Sequence, residues 1–296
     1  MKNKPSSFLQ IVIVLVMPIF VLLSGCHKAS PVPCYLHIEP FVVTTDYPSQ
    51  GSSKNKITDV WVYVNNQNLG AYQLPCTIPV VLNSPILTNG KSQIILAAGI
   101  LKNGLTTSHI QYPFYSSWFD TLTLSEGANY NLQPKAHYID SLNFFLKEDF
   151  ELGSAFNKLL GDTTLIRENI VANSFEGWYG KIALDATHDT VEVITASSWN
   201  LVTSNASSVF IEMNYKCDYP FTVGLLSTTS STSTKYWHET LKANSNWNKV
   251  YLDISDIVNQ LQGTSYKIII KAGNTYGDIT SAKNLYFDNI KLIGRK

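Results

Sequence analysis

Leu285-Tyr286-Phe287-Asp288-Asn289-Ile290-Lys291-Leu292-Ile293, close to the end of the chain, alternates in the period of a β-strand with one buried face. That period places Asp288 on one face with Tyr286, Ile290 and Leu292. A carboxylate among such neighbours needs hydrogen-bond donors or a cation, since an unpaired buried charge costs several kcal/mol. Upstream, residues 180–184, 191–195, 209–219, 236–243, 249–254 and 266–272 carry strand patterns bounded by polar turns. One helix interrupts them: Ser255 is its expected N-cap, Ile257, Val258 and Leu261 form an apolar face, and Gly263 ends it. Two facing antiparallel sheets over residues 147–296 fit this order.

Residues 34–133 show strand patterns of their own. Residues 35–43 and 59–64 alternate with period two, Asn65-Asn66-Gln67-Asn68 turns the chain, and Pro75 with Pro79 restricts the next strand to an edge. Residues 91–100 read as a buried strand closed by Asn103-Gly104, and residues 111–124 as an aromatic-rich strand pair. The expected fold class is all-β: an N-terminal Ig-like antiparallel sandwich over 34–133, a join over 134–146, and a β-jelly roll over 147–296. Charged residues make up only 15% of the chain, a composition suited to β-structure with polar, aromatic-bearing loops.

Asp149-Phe150-Glu151-Leu152-Gly153, Trp247-Asn248-Lys249-Val250-Tyr251-Leu252-Asp253-Ile254 and Tyr286-Phe287-Asp288-Asn289-Ile290-Lys291-Leu292 together resemble the galactose-binding-like jelly roll shared by many carbohydrate-binding modules. The resemblance implies a structural calcium held by an acidic residue of the first strand and an Asp of the last, here Glu151 and Asp288, with backbone carbonyls completing the oxygen shell. The alternative is that Asp288 only accepts backbone hydrogen bonds. The resemblance also implies that exposed rings stack on sugar. Trp178, Tyr179 and Tyr276 stand in Gly-flanked turns and are the expected ligand-binding residues. Trp247, followed by Val250 and Leu252, is expected in the core. The first domain resembles surface-layer and PEGA-type β modules, which serve as spacers or docking units.

Catalytic patterns do not converge. No two of His27, His37, His109, His137, His188 and His238 have the i,i+4 spacing of a helical zinc site, and neither a Gly-x-Ser-x-Gly elbow nor a phosphate-cradling loop occurs. Glu148, Asp149 and Glu151 form one local cluster, whereas a glycosidase places two carboxylates on separate elements, roughly 5 to 9.5 Å apart. The chain is therefore not expected to be an enzyme.

At the N-terminus, Lys2 and Lys4 precede an apolar run, residues 8–23, that is shorter than the ~20 residues of a membrane span. It ends in Leu23-Ser24-Gly25-Cys26, which resembles the lipobox of bacterial lipoproteins. The resemblance implies removal of residues 1–25, a covalent lipid such as palmitate on Cys26, and a tether of residues 26–33 that holds the first domain near a membrane. Loss of Lys2 and Lys4 leaves 20 basic against 22 acidic residues, a balance that excludes a nucleic-acid partner. The expected address is the outer membrane of a Gram-negative bacterium, as for Bacteroidota lipoproteins, with the leaflet open. His27-Lys28-Ala29-Ser30-Pro31 lacks the acidic cluster of their surface-export signal. Cys34 and Cys76 are either bridged or free, and Cys217 reads as a buried small hydrophobe. The function expected is a noncatalytic, membrane-anchored lipoprotein presenting a glycan-binding jelly roll. The alternative is a structural or assembly lipoprotein docking another cell-envelope protein, with a hydrolase or hydrolase accessory third.

Overall fold

A computed structural model describes residues 32–82, 91–201, 208–274 and 277–296; Cys26 and Tyr276 lie outside the described residues. The chain is all-β, with two short helices among the described residues. The first lobe contains β1 (Cys34–Ile38), β2 (Val42–Thr44), α1 (Tyr47–Gln50), β3 (Asp59–Val64), β4 (Gln67–Gln73), β5 (Cys76–Val80), β6 (Ser92–Leu101), β7 (His109–Gln111), β8 (Trp118–Leu122), β9 (Asn129–Leu132) and β10 (Lys135–His137). A sheet ordered β4-β3-β6-β7, with β8 also paired to β6, shares one core with the small sheets β5-β1-β9 and β10-β2. Val60, Val62 and Val64 are buried there, as their alternation requires. Asn65 and Asn66 both have positive φ, 47° and 65°, which a two-residue hairpin turn between β3 and β4 demands.

Two features depart from the expected antiparallel sandwich. The pairs β1–β9 and β2–β10 are parallel, and residues 35–43 are split at Glu39–Phe41, where Pro40 lacks the N–H a ladder needs. Cys34 and Cys76 are free thiols. Cys34 pairs with Val80 and Cys76 with Ile38, so four residues of strand, about 13 Å, separate them. No bridge spans that distance.

The second lobe contains β11 (Leu142–Glu148), β12 (Phe156–Gly161), β13 (Leu165–Glu168), β14 (Tyr179–Leu184), β15 (Thr190–Thr195), β16 (Val209–Cys217), β17 (Phe221–Thr228), β18 (Ser233–Leu241), β19 (Asn244–Asp253), α2 (Ser255–Leu261), β20 (Ser265–Gly273) and β21 (Lys283–Arg295). One sheet runs β13-β14-β21-β16-β19, with β11 on the free side of β21; the other runs β12-β15-β20-β17-β18. Every pairing is antiparallel. Ile182, Met213, Val250 and Phe287 from the first sheet meet Val193, Val223, Leu225 and Ile270 from the second. The join expected over 134–146 is occupied by β10, which pairs with the first lobe, and by β11, which pairs with the second. In α2 the capping roles shift by one or two residues. Asp253 Oδ1 accepts the Ser255 N–H at 3.1 Å, and Gln262, not Gly263, takes the left-handed conformation at the C-terminal end.

The alternation quoted for the last strand breaks at Asn289, whose φ is 49° and where the pairing to β16 slips by one residue. Leu285, Phe287, Ile290 and Leu292 consequently face the core, while Asp288 stays on the outer face with Tyr286. Asp288 is thus not set among Ile290 and Leu292. The first lobe covers part of that outer face. Phe210, Tyr251 and Ile293 of the second lobe belong to the core of the first, with Tyr112 4.9 Å from Tyr251 and 5.3 Å from Phe210 between ring centroids.

Candidate functional site

Under the aromatic contact lies an ionic network built from both lobes. Glu212 on β16 is fully buried and pairs with Lys249 on β19 at 2.7 Å. The hydroxyls of Tyr112 and Tyr138, from the first lobe, donate to its carboxylate at 2.6 and 2.9 Å. Lys291 on β21 donates to Ser52 O at 2.6 Å and to Tyr138 Oη at 3.3 Å. Burial pushes the Glu212 carboxyl up, but Lys249 and Lys291 more than offset this and hold it below the usual range. Burial lowers the Lys291 ammonium to about 7. These groups fix the two lobes to each other, and with them the cleft between their edges.

That cleft has a volume of about 360 Å³, within the range of small-ligand sites. The first lobe contributes Lys56, Asn103 and Thr106, and the second Glu239, Asn248 and Tyr251. Its walls are tied across the lobes: Lys56 N–H donates to Tyr251 Oη at 2.9 Å, Lys56 Nζ to Asn248 Oδ1 at 2.5 Å, and Asn103 Nδ2 to Glu239 Oε1 at 3.2 Å. The loop at Thr106 is held by His109, whose Nδ1 is 2.9 Å from Asp59 Oδ2 and whose Nε2 is 3.0 Å from Thr106 O. Both partners are acceptors, so the ring serves both only as imidazolium, and the bond to Asp59 raises its pKa. Being raised, it contributes order to this loop below about pH 6.5 and loses it as pH rises through the folded value. His109 is expected to titrate above its ordinary value in an NMR titration, and Asp59→Asn to lower it.

On the outer face of β19, Trp247 and Lys249 are two residues apart, and Lys249 lines the cleft. Trp247 is half-buried outside the core; its indole N–H donates to Asn173 O at 3.1 Å and its ring lies 5.2 Å from Phe175, tilted by 39°. The core position expected for Trp247 is therefore a correction. Val250 and Leu252 have the opposite parity, so the alternation that buries them turns Trp247, Lys249 and Tyr251 to the other face. That parity was readable in the sequence, whereas Phe175 and the first-lobe residues carry no sequence signal toward this cleft.

The expected binding residues are placed elsewhere. Tyr179 is fully buried at the start of β14, its hydroxyl donating to Glu168 at 2.6 Å, and so presents no ring face to a ligand. Trp178 is partly buried against the core, and the Arg167 guanidinium stacks on its ring 3.9 Å from the centroid. Arg167 is itself held by the carbonyls of Phe150 and Glu151, which leaves Trp178 a packing partner.

Glu151 and Asp288 both accept backbone N–H groups of the loop 176–178. Glu151 Oε1 accepts the Trp178 N–H at 2.8 Å. Asp288 is fully buried, accepts the N–H groups of Glu176 and Asn289 at 3.2 and 2.7 Å, and is pushed up to about 8 by burial, with the Glu176 and Asp149 carboxylates adding to the shift. Its cross-strand neighbour Asn214 is buried with Oδ1 lacking a hydrogen-bond partner. Asp288, whose two oxygens each accept one N–H, and the unpartnered Asn214 Oδ1 are the oxygens this face offers a hard cation, while Glu151 Oε1 is taken by Trp178. Among the described residues no group of three or more His, Cys, Asp or Glu side chains is arranged to hold a metal ion.

No family model matches the chain, and no curated protein matches it. Among solved structures it is similar to a carbohydrate-binding module from a study of promiscuous specificity in the β-sandwich superfamily, at 13% identity and a TM-score of 0.37, over 79% of this chain and 85% of that one. A family 29 carbohydrate-binding module is similar over 52% of this chain and 91% of its own, at 13% identity and TM-score 0.33. A family 61 module solved with β-1,4-galactotriose is similar over 51% and 97%, at 12% identity and TM-score 0.33. At such identities and scores none of them assigns a ligand to this chain.

Proposed function

We propose that this protein is a noncatalytic, lipid-anchored module that binds glycan in the cleft between its lobes, with Trp247 and Phe175 as the stacking surface beside it. The observation that carries this reading is the cleft itself, where amide, hydroxyl and charged groups converge, with Trp247, the residue before the cleft-lining Asn248, half-buried against Phe175. Sugar recognition requires this combination: a ring for the apolar face of a pyranose and fixed polar groups for its hydroxyls. Trp247→Ala is expected to weaken polysaccharide retention in native affinity gels at least tenfold, with a change in melting temperature of less than about 4 °C, the shift of ~1 kcal/mol. Retention equal to that of the parent on every polymer would overturn the site.

Support for the anchor and for an outer-membrane address comes from Leu23-Ser24-Gly25-Cys26; Cys26→Ser should release the protein from the membrane fraction. Among the described residues no helix is long and apolar enough to cross a membrane. Asp288 and Asn214, with backbone carbonyls, would hold a structural calcium whose part is to neutralise buried carboxyl oxygens. A second reading, docking of another envelope protein, is favoured by Leu152 and Val171, which are 99% and 89% exposed. In-cell crosslinking that fails to yield a stable partner would remove it.

A further inference from the structure

The charges lining the cleft are not balanced. Lys56, Lys242 and Lys249 face a single carboxylate, Glu239, which is already bonded by Asn103. Lys249 is neutralised from behind by Glu212. Two lysines elsewhere on the second lobe also have carboxylate partners: Lys181 lies 3.2 Å from Glu168, and Lys235 pairs with Glu192. Lys102 at the cleft edge pairs with Asp253 at 3.5 Å. Lys56 differs. Its ammonium is fixed at 2.5 Å by the neutral amide oxygen of Asn248, which adds no charge, and its backbone N–H is pinned by Tyr251. No carboxylate among the described residues lies within 4 Å of it.

We infer that the cleft recognises an anionic glycan, whose carboxylate, sulfate or phosphate group sits against Lys56 and Lys242 while an adjoining sugar ring stacks on Trp247 and Phe175. The inference rests on the cleft as the glycan site and narrows it to a ligand class. Lys56 is placed for this by both of its neighbours: Asn248 orients the ammonium, and Tyr251 fixes the strand of chain that carries it. A pre-oriented cation short of an anion gains a charge-assisted bond without losing one, because Asn248 can keep its second contact, donated from Nδ2 to Tyr215 Oη at 3.1 Å. Partial burial of Lys56 already depresses its pKa, and an incoming anion would reverse that shift. Two anchoring cations also set the salt dependence, since each neutralised charge releases bound ions.

Isothermal titration of the full chain against polygalacturonate, a sulfated galactan and neutral galactan, each at 50 and 300 mM NaCl, separates the possibilities. An acidic polymer is expected to bind at least tenfold more tightly than the neutral one at 50 mM, with most of that margin lost at 300 mM. Lys56→Met and Lys242→Met should each remove the larger part of the margin. Which acidic polymer binds more tightly identifies a carboxylate or a sulfate as the anionic group. Equal binding of acidic and neutral polymers, abolished by Trp247→Ala, would overturn the anionic preference and keep the glycan site. Absence of binding to all three polymers, with the fold confirmed by circular dichroism, would overturn both. A preference for acidic polymer that survives both lysine substitutions would place the anion elsewhere and overturn the assignment to this cleft.

Discussion

Glu212→Ala is expected to destabilise the protein by about 3 to 5 kcal/mol, the largest effect of any single substitution proposed for this chain. The carboxylate is the one negative group between two buried ammoniums, and it also accepts two tyrosine hydroxyls from the other lobe. Removing it leaves Lys249 with an uncompensated charge at 2% side-chain exposure and strands Tyr112 and Tyr138. The milder Glu212→Gln keeps an acceptor for the tyrosines but not the charge, and it separates the two contributions. Its cost should fall as pH rises from 6 to 9, because Lys291, already lowered to about 7, can then discharge. The sign follows from linkage: a base with a depressed folded pKa contributes stability that grows as pH rises from the folded toward the unfolded value, about 10.4. Urea denaturation at the two pH values measures this, and a loss below 1 kcal/mol for Glu212→Ala would show that the network does not hold the lobes. Tyr112→Phe, which removes one hydroxyl and leaves the ring contacts, should cost only about 1 to 2 kcal/mol.

Particular residues show how far the sequence reaches toward this architecture. Strand alternation in 59–64 and 191–195 was legible because one face of each is buried and the other is not. β17, an inner strand of its sheet between β20 and β18, escaped that reading. Its Gly224 interrupts the pattern at the point where Trp237 lies across the backbone; a Cβ there would sit 3.0 Å from the ring. The site was less legible than the fold, and for a physical reason. Trp178 and Tyr179 are flanked by glycine, but the glycines serve close packing: a Cβ on Gly180 would meet Phe150 at 2.6 Å, and one on Gly177 would meet Glu151. The groups that line the cleft come from segments nearly two hundred residues apart, such as Lys56 and Asn248. Only the docking of the lobes brings them together, and that docking depends on a buried charge network with no local sequence pattern.

Asp288→Asn is expected to have opposite effects in chelator and in calcium. In chelator the folded protein holds the Asp288 proton with a pKa of about 8, against about 3.9 when unfolded. For an acid raised in this way, stability is full below the unfolded value and is lost as pH rises through the folded one. The parent should therefore lose stability between about pH 4 and pH 8, by an amount of order 5 to 6 kcal/mol at ~1.4 kcal/mol for each unit. Asn lacks this titration and supplies an N–H donor to the unpartnered Asn214 Oδ1. Above pH 8 it should then be the more stable chain. The neighbouring Lys291 titrates in both proteins and cancels in the difference. In millimolar calcium the order should reverse, since a cation bound to the Asp288 carboxylate and Asn214 Oδ1 stabilises the ionised form, and the amide cannot replace that charge. Melting curves from pH 5 to 9, with and without calcium, decide the matter. If calcium shifts neither protein, the buried oxygens are satisfied by the proton alone, and the calcium proposal is lost. If calcium stabilises the parent and not Asp288→Asn, the last strand carries a metal ligand, and its outer face is held by a cation beside Glu176 as well as by the Glu212 network.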